Sequence, residues 1–171
     1  MEIKLDSKLM KAVYGLMVFV SAICLLAIKD PRQYWLVGMF MLFGAIAHCG
    51  AWYLDGMKNI NMLIKTCFLL VFSIVFISSL EAFVFSYLLF VFWGMLEAAM
   101  MLSQKFEAIK AQEGYWFVYA GMILVTLIMG FVGCFVISDV MIALPLMFAA
   151  LTLIFEYCEQ FMPKVSVRIA K

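Results

Sequence analysis

Long apolar runs separated by short polar segments dominate this sequence. The first run without a charged residue extends from Ala12 to Ile28, and the fourth apolar run, Phe83 to Ser103, contains one charged side chain, Glu97. Runs of this length can cross a bilayer as single helices, since a helix rises about 1.5 Å per residue and roughly 20 residues span the hydrocarbon core. The pattern therefore predicts a polytopic membrane protein.

The composition excludes an ordinary soluble domain. Of the 171 residues, 68% are hydrophobic and 13% are charged, whereas soluble domains are about 45–50% apolar and about 25% charged. The net charge of +1, without a basic stripe, gives no indication of a nucleic-acid partner. The lipid bilayer is the expected surrounding of the chain.

The apolar runs predict an all-α bundle of six transmembrane helices in a single domain, residues 1–171. The predicted spans are Ala12–Ile28, Gln33–Leu54, Met62–Ser79, Phe83–Ser103, Tyr115–Ile137 and Val140–Gln160. Short links within pairs, longer polar links between pairs, and matching positions of Gly44 and Gly94 predict three tandem helical hairpins in a pseudo-threefold bundle. The hairpins and the basic tail that follows them are residues 9–54, 62–103, 115–160 and 161–171.

The basic residues predict the orientation of this bundle. Six spans place both termini on one side of the membrane, and ten of the twelve Lys and Arg residues fall on that side. The other two, Lys29 and Arg32, lie in the link between the first two spans. Because Lys and Arg are enriched in cytoplasmic loops, both termini are predicted to be cytoplasmic.

Three polar side chains in the even-numbered spans form the candidate site. His48, Glu97 and Glu156 lie 15, 14 and 16 residues after the first residues of their predicted spans. These spans all run from outside to inside, so the three side chains are expected at a similar depth in the inner part of the membrane. If the even helices line one axis, the three groups meet in a cup that faces the cytoplasm and could sense or relay protons.

Each of these residues also has a structural interpretation, and the sequence leaves both open. His48 can donate a hydrogen bond to a neighbouring helix. Glu97 can be a buried carboxyl group, held neutral or paired with Lys65, whose apolar stem can extend along the helix surface. Glu156 can lie at head-group level near the inner end of its span.

Motifs for catalysis, cofactors and metals are not found in the sequence. It contains no glycine-rich phosphate loop, no HExxH and no GxSxG, and its one histidine is too few for most histidine-based sites. The five cysteines lie in apolar runs without CxxC spacing, which indicates neither a disulfide framework nor a thiolate metal site. We therefore expect a protein that is not an enzyme and that needs no cofactor or metal.

Several segments resemble a known family. The first and third hairpins open on VYGLMVF and YAGMILV, Asp30 and Pro31 end the first helix, and the next two even helices contain VGMFMLFGAIAHCGAW and LLFVFWGMLEAAMM. In these features the chain resembles the HdeD-like family of small six-span bacterial membrane proteins. The middle hairpin departs from the pattern, with Lys65, Thr66 and Cys67 where a glycine is expected. The resemblance implies an inner-membrane protein linked to acid resistance, with no catalytic residues to carry over.

Two classes of function follow. The first is a non-enzymatic inner-membrane protein linked to acid or envelope stress, which acts through its helical bundle and associates with lipid, a second copy of the chain or another membrane protein. The second is a small proton-coupled channel or transporter that uses His48, Glu97 and Glu156. The second class requires those groups to face a hydrated cavity, whereas a dry helix interface favours the first.

Overall fold

The structure of the chain, a computed structural model, describes residues 6–27, 33–78, 83–111, 114–136 and 138–162. These residues form six α-helices and no strand, which confirms the all-α prediction for this part of the chain. The helices are α1 Ser7–Ala27, α2 Gln33–Leu54, α3 Ile60–Ser78, α4 Phe83–Ala111, α5 Trp116–Gly133 and α6 Asp139–Glu159. The predicted link at 29–32 and the basic tail from residue 163 lie outside the described residues.

Five of the described helices, α1, α2, α3, α5 and α6, are long and apolar enough to cross a membrane. The chain is therefore an apolar helical bundle suited to a bilayer, and the crossing by α4 stays a prediction. α4 continues beyond the predicted inner limit at Ser103 and ends at Ala111. Gly114 follows with a φ of +59°, a conformation that glycine adopts without the steric cost that a side chain brings.

The centre of the bundle is the contact between α1 and α6. On α1 the buried residues Tyr14, Val18 and Ala22 recur at intervals of four, which places them on one face of the helix. On α6 the small residues Ala149 and Ala150 are fully buried. Small side chains let two helices approach closely and gain van der Waals packing energy. In lipid this packing matters most, because the hydrophobic effect does not drive helices together there.

The other helices flank this central pair. α2 packs against α1 and α3, α5 packs against α4 and α6, and α4 also contacts α6. By contrast, the described residues of α3 and α4 do not pack closely along each other. The first and third predicted hairpins are thus packed pairs, whereas the two helices of the middle one are apart, and the three-hairpin arrangement is not confirmed. Nor do the described even helices line one axis, because α2 packs against α1 and α3 rather than against α4 or α6.

The helices alternate in direction, so the start of α1 and the end of α6 lie at the same end of the bundle. A cavity at this end is lined by Lys8 from α1 and Glu159 from α6, among others. A salt bridge of 3.4 Å joins Lys11 to Asp55, which follows α2. We call this the N-terminal end. The side of the membrane that it faces stays a prediction from the basic residues.

The α1–α6 contact can be tested at Gly15. A Cβ added there would lie 2.9 Å from the Cβ of Leu153 and 3.1 Å from the carbonyl oxygen of Ala150, so α1 and α6 would have to move apart. We expect Gly15→Ala to lower the free energy of unfolding by about 1–3 kcal/mol, measured by SDS-induced unfolding in mixed micelles. The control is Gly121→Ala on α5, where a Cβ meets nothing within 4 Å and helix propensity favours alanine by up to about 1 kcal/mol. Equal losses in the two variants would contradict the close contact.

Candidate functional site

A buried ion pair lies between α3 and α4. The Nζ atom of Lys65 is 2.6 Å from Oε2 of Glu97, and the two residues are only 5% and 1% exposed. Lys65 is the sixth residue of α3, which places the pair about 8 Å along the helix from the N-terminal end of the bundle. A single charge at this depth would be strongly unfavourable, so each residue supplies the counter-ion that the other requires.

Two aromatic side chains complete the surroundings of Glu97. The hydroxyl group of Tyr14 on α1 donates a hydrogen bond to Oε1. The indole Nε1 of Trp93 donates to the same oxygen at 3.2 Å and to the Tyr14 hydroxyl oxygen at 3.1 Å. The ammonium group of Lys65 lies 4.5 Å from the centroid of the Tyr14 ring, within cation–π range. We name Tyr14, Lys65, Trp93 and Glu97 the core cluster.

His48 lies beside the core cluster and is hydrogen-bonded to α3. Its Nδ1 atom is 2.9 Å from Oγ1 of Thr66, and its ring meets the Tyr14 ring edge-on with centroids 5.1 Å apart. The Thr66 hydroxyl donates its only hydrogen to the carbonyl oxygen of Met62. Its oxygen must therefore accept from His48, so Nδ1 carries the proton. This is the interhelical hydrogen bond that the sequence left open as the structural interpretation of His48.

A second cluster of similar chemistry lies at the N-terminal end of the bundle. The Nζ atom of Lys105 is 3.0 Å from Oε1 of Glu156, and the side chains are 20% and 22% exposed. Tyr119 donates a hydrogen bond to Glu159, and the Lys105 ammonium group lies 4.4 Å from the centroid of the Tyr119 ring. We name Lys105, Tyr119, Glu156 and Glu159 the end cluster. Water screens its charges more than those of the core cluster.

The structure therefore brings together three of the four residues predicted from the sequence and separates the fourth. Lys65 and Glu97 are in direct contact, and His48 adjoins them through the Tyr14 ring. Glu156 belongs to the end cluster instead. The physical reason is that distance from the outer end of a helix predicts depth and not neighbours: Glu156 contacts Lys105, which lies eight residues after Glu97 on α4.

Sequence analysis missed Tyr14 and Trp93. Trp93 precedes Glu97 by four residues, or about one helical turn, so the spacing could have placed its indole N–H beside the carboxylate. Tyr14 offers only a weak signal, a hydroxyl group in the first apolar run. Its role depends on α1 lying next to α4 at this depth, which the order of residues along the chain does not reveal.

A polar cleft separates α3 from α4 at the N-terminal end. It has a volume of about 370 Å³ and is lined by Asn59, Asn61, Ala99, Met100, Ser103 and Gln104. Asn61 precedes Lys65 by one helical turn, and Met100 follows Glu97 by slightly less than one. The walls of the cleft are thus the helical turns next to those that carry the core ion pair.

The ion pair and the hydrogen bonds of the core cluster depend on the negative charge of Glu97. When Glu97 is ionised, its oxygens accept from Lys65, Tyr14 and Trp93, which satisfies the buried carboxylate. A proton on Glu97 would remove its negative charge and leave the Lys65 ammonium group buried without a counter-ion, a change that costs roughly 3–5 kcal/mol in buried pairs. The two residues therefore hold each other in the charged form, and the loss of either charge would leave the other buried without a partner.

Comparisons with known proteins do not assign the site. No protein-family model, curated protein or solved structure matches the chain. The resemblance to the HdeD-like family stays a prediction, and the contacts of the core cluster carry the functional interpretation.

Removing one partner of the core ion pair should be far more damaging than removing both. We expect Lys65→Met to lower the free energy of unfolding at neutral pH by roughly 3–5 kcal/mol, because Glu97 loses its counter-ion, and the double variant Lys65→Met/Glu97→Met to recover most of that loss. Lys105→Met is the matched control, since its partly exposed ion pair contributes no more than about 1 kcal/mol. SDS-induced unfolding gives all three values. A loss in Lys65→Met no larger than in Lys105→Met would show that the core pair carries no special energy.

Proposed function

We propose that this chain is a non-enzymatic integral protein of the bacterial inner membrane whose helical bundle responds to acid through the core ion pair. The context, acid or envelope stress, comes from the resemblance to HdeD-like proteins. The geometry supports the response itself, because the pair of Lys65 and Glu97 lies in a dry helix interface and bridges α3 and α4, whose described residues do not otherwise pack closely.

The proposed trigger is protonation of Glu97. The titratable and charged groups around the core ion pair come from four neighbouring helices, and two of these groups contact Glu97 directly. They are Tyr14 and Lys11 on α1, His48 on α2, Lys65 on α3 and Glu156 on α6. Of these, Lys65 is the cation in contact with the carboxylate, so the charge of Glu97 determines whether that ammonium group is neutralised.

Loss of the negative charge should separate α3 from α4. An unpaired Lys65 ammonium group gains free energy by extending along its apolar stem toward water, and the cleft beside Asn61 lies one turn nearer the N-terminal end. The attraction across the interface then disappears, while α3 keeps its packing against α2 and α4 keeps its packing against α5 and α6. The bundle therefore has a closed state at neutral pH and an open state in acid.

The distance across the cleft tests this mechanism. The native cysteines are first replaced by alanine, and spin labels are attached at Asn61→Cys and Ser103→Cys. Pulsed electron paramagnetic resonance in nanodiscs then measures the distance between α3 and α4. We expect the distance to lengthen on acidification of the otherwise wild-type protein, since protonation breaks the pair. Glu97→Gln should have the long distance already at neutral pH, because a neutral amide stands in for the protonated acid.

Two further variants keep this test decisive. Glu107→Gln removes an exposed carboxylate from the same helix and should leave the acid response intact. Lys65→Met/Glu97→Met removes both charges and should fold with a distance that does not change with pH. If the distance between the labels in Glu97→Gln still lengthens in acid as it does in the wild type, protonation of Glu97 is not the trigger.

The cleft supports a second candidate, a small proton-coupled channel or transporter. This polar cleft extends from the N-terminal end of the bundle to within about one helical turn of Glu97. It could form one half of a path for protons. A continuous path would also need hydrated access from the opposite end, past the buried core cluster.

Proton flux separates the two candidates. In liposomes with an imposed pH gradient, transport predicts a flux in the wild type that falls to the protein-free level in Glu97→Gln and persists in Glu107→Gln. Sensing predicts no flux above the protein-free level in any of the three, together with the acid-dependent change in the α3–α4 distance.

A further inference from the structure

A cavity of about 360 Å³ opens at the N-terminal end of the bundle, away from the core ion pair. Its lining comes from the start of α1, the last turns of α4 and the end of α6, and consists of Lys8, Lys105, Glu156, Glu159, Gln160 and Met162. The cavity therefore contains two ammonium groups and two carboxylates in a bundle that is otherwise apolar at most positions.

Contacts among the described residues leave some charges in this cavity without an ion-pair partner. Lys105 pairs with Glu156, and Glu159 accepts a hydrogen bond from the neutral hydroxyl group of Tyr119. Within the described part of the chain, Lys8 belongs to no ion pair, and Glu159 has no cationic partner. One cation and one anion thus face the same space without neutralising each other.

Aromatic residues favour a position near lipid head groups for the end of the bundle that contains the cavity. Tyr115, Trp116 and Tyr157 lie at the start of α5 and near the end of α6, and such residues are typical of the membrane interface. Next to the cavity, Phe161 is 74% exposed and Met162 is 38% exposed. These two side chains follow Glu159 in the chain and add an apolar surface to the rim of the cavity at the N-terminal end of the bundle.

We propose that this cavity binds a zwitterionic lipid head group that carries both a phosphate and a primary ammonium group, as in phosphatidylethanolamine. Lys8 and Lys105 donate to the phosphate oxygens, and Glu159 accepts from the ammonium group. Charge-assisted hydrogen bonds of both signs are then formed in one site. An anionic head group such as that of phosphatidylglycerol carries no ammonium group that could donate to Glu159. A choline head group carries a positive charge but has no N–H to donate.

The experiment is a lipid-dependent thermal stability measurement on the purified full-length chain in detergent. Phosphatidylethanolamine, phosphatidylcholine and phosphatidylglycerol are added separately at equal concentrations. We expect the melting temperature to rise with phosphatidylethanolamine and to remain within error of the lipid-free value with the other two. Equal rises with all three lipids, or a larger rise with phosphatidylglycerol, would overturn the proposal.

Charge-neutral variants locate the effect. Lys8→Gln and Glu159→Gln should each raise the phosphatidylethanolamine concentration that gives half of the maximal rise in melting temperature. We expect an increase of about tenfold or more, because each substitution removes a charged hydrogen-bond partner. Glu159→Gln keeps an oxygen that can accept from Tyr119, so the fold is preserved. Lys58→Gln and Glu107→Gln make the same charge changes at exposed positions outside the cavity and should leave the response unchanged. If all four variants respond to phosphatidylethanolamine in the same way, the lipid does not bind in this cavity.

A final comparison identifies the source of the head group. Soluble phosphoethanolamine carries the same two charged groups without acyl chains. A lipid site predicts that the soluble compound produces no rise in melting temperature at concentrations where the lipid does, since it has no acyl chains to bury against the apolar surface of the bundle. An equal rise with the soluble compound would show that the cavity takes a free solute and would overturn the lipid assignment.

Discussion

The burial of Lys65 and Glu97 constrains how the rest of the bundle is built. Two charges that lie in a protein interior require each other, and their remaining donors and acceptors must also be satisfied. The Tyr14 hydroxyl and the Trp93 indole meet that requirement from α1 and α4, and the Tyr14 ring covers the ammonium group. α1, α3 and α4 must therefore converge at one depth, although only some of them pack backbone against backbone. A buried pair of this kind contributes little net stability, but it strongly disfavours arrangements in which the partners are separated.

Small residues determine which helices can approach and which cannot. Gly15 and the alanines of α6 allow the central contact, and Gly38 lies so close to α3 that a Cβ there would be 3.0 Å from the amide nitrogen of Ile77. α3 thus belongs to the α2 side of the bundle, and α4 belongs to the α5 and α6 side. The long side chains of Lys65 and Glu97 reach across the remaining gap. The buried ion pair consequently lies at the seam where helix packing resists separation least.

Much of the helical framework could be read from the sequence, and most of the neighbour relations could not. Apolar runs report depth and length, so the helices and the inner position of Glu97 were predicted. In lipid, however, the outward face of a helix is as apolar as its buried face, and amphipathic patterns do not indicate which helices touch. The pairing of Lys65 with Glu97 was therefore one of two open interpretations, the role of Tyr14 was missed, and Glu156 was placed with Glu97 although it pairs with Lys105.

The two clusters contain the same groups in different surroundings, which explains why they suit different roles. In each, an ammonium group lies over a tyrosine ring at 4.5 or 4.4 Å and contacts a carboxylate. The core pair is almost fully buried, so each of its charges depends on the other, whereas the end pair is partly exposed to solvent. α4 carries Glu97 of one cluster and Lys105 of the other, eight residues or about 12 Å apart. One helix thus supplies a residue to each cluster, and its packing against α5 and α6 positions Lys105 in the end cluster.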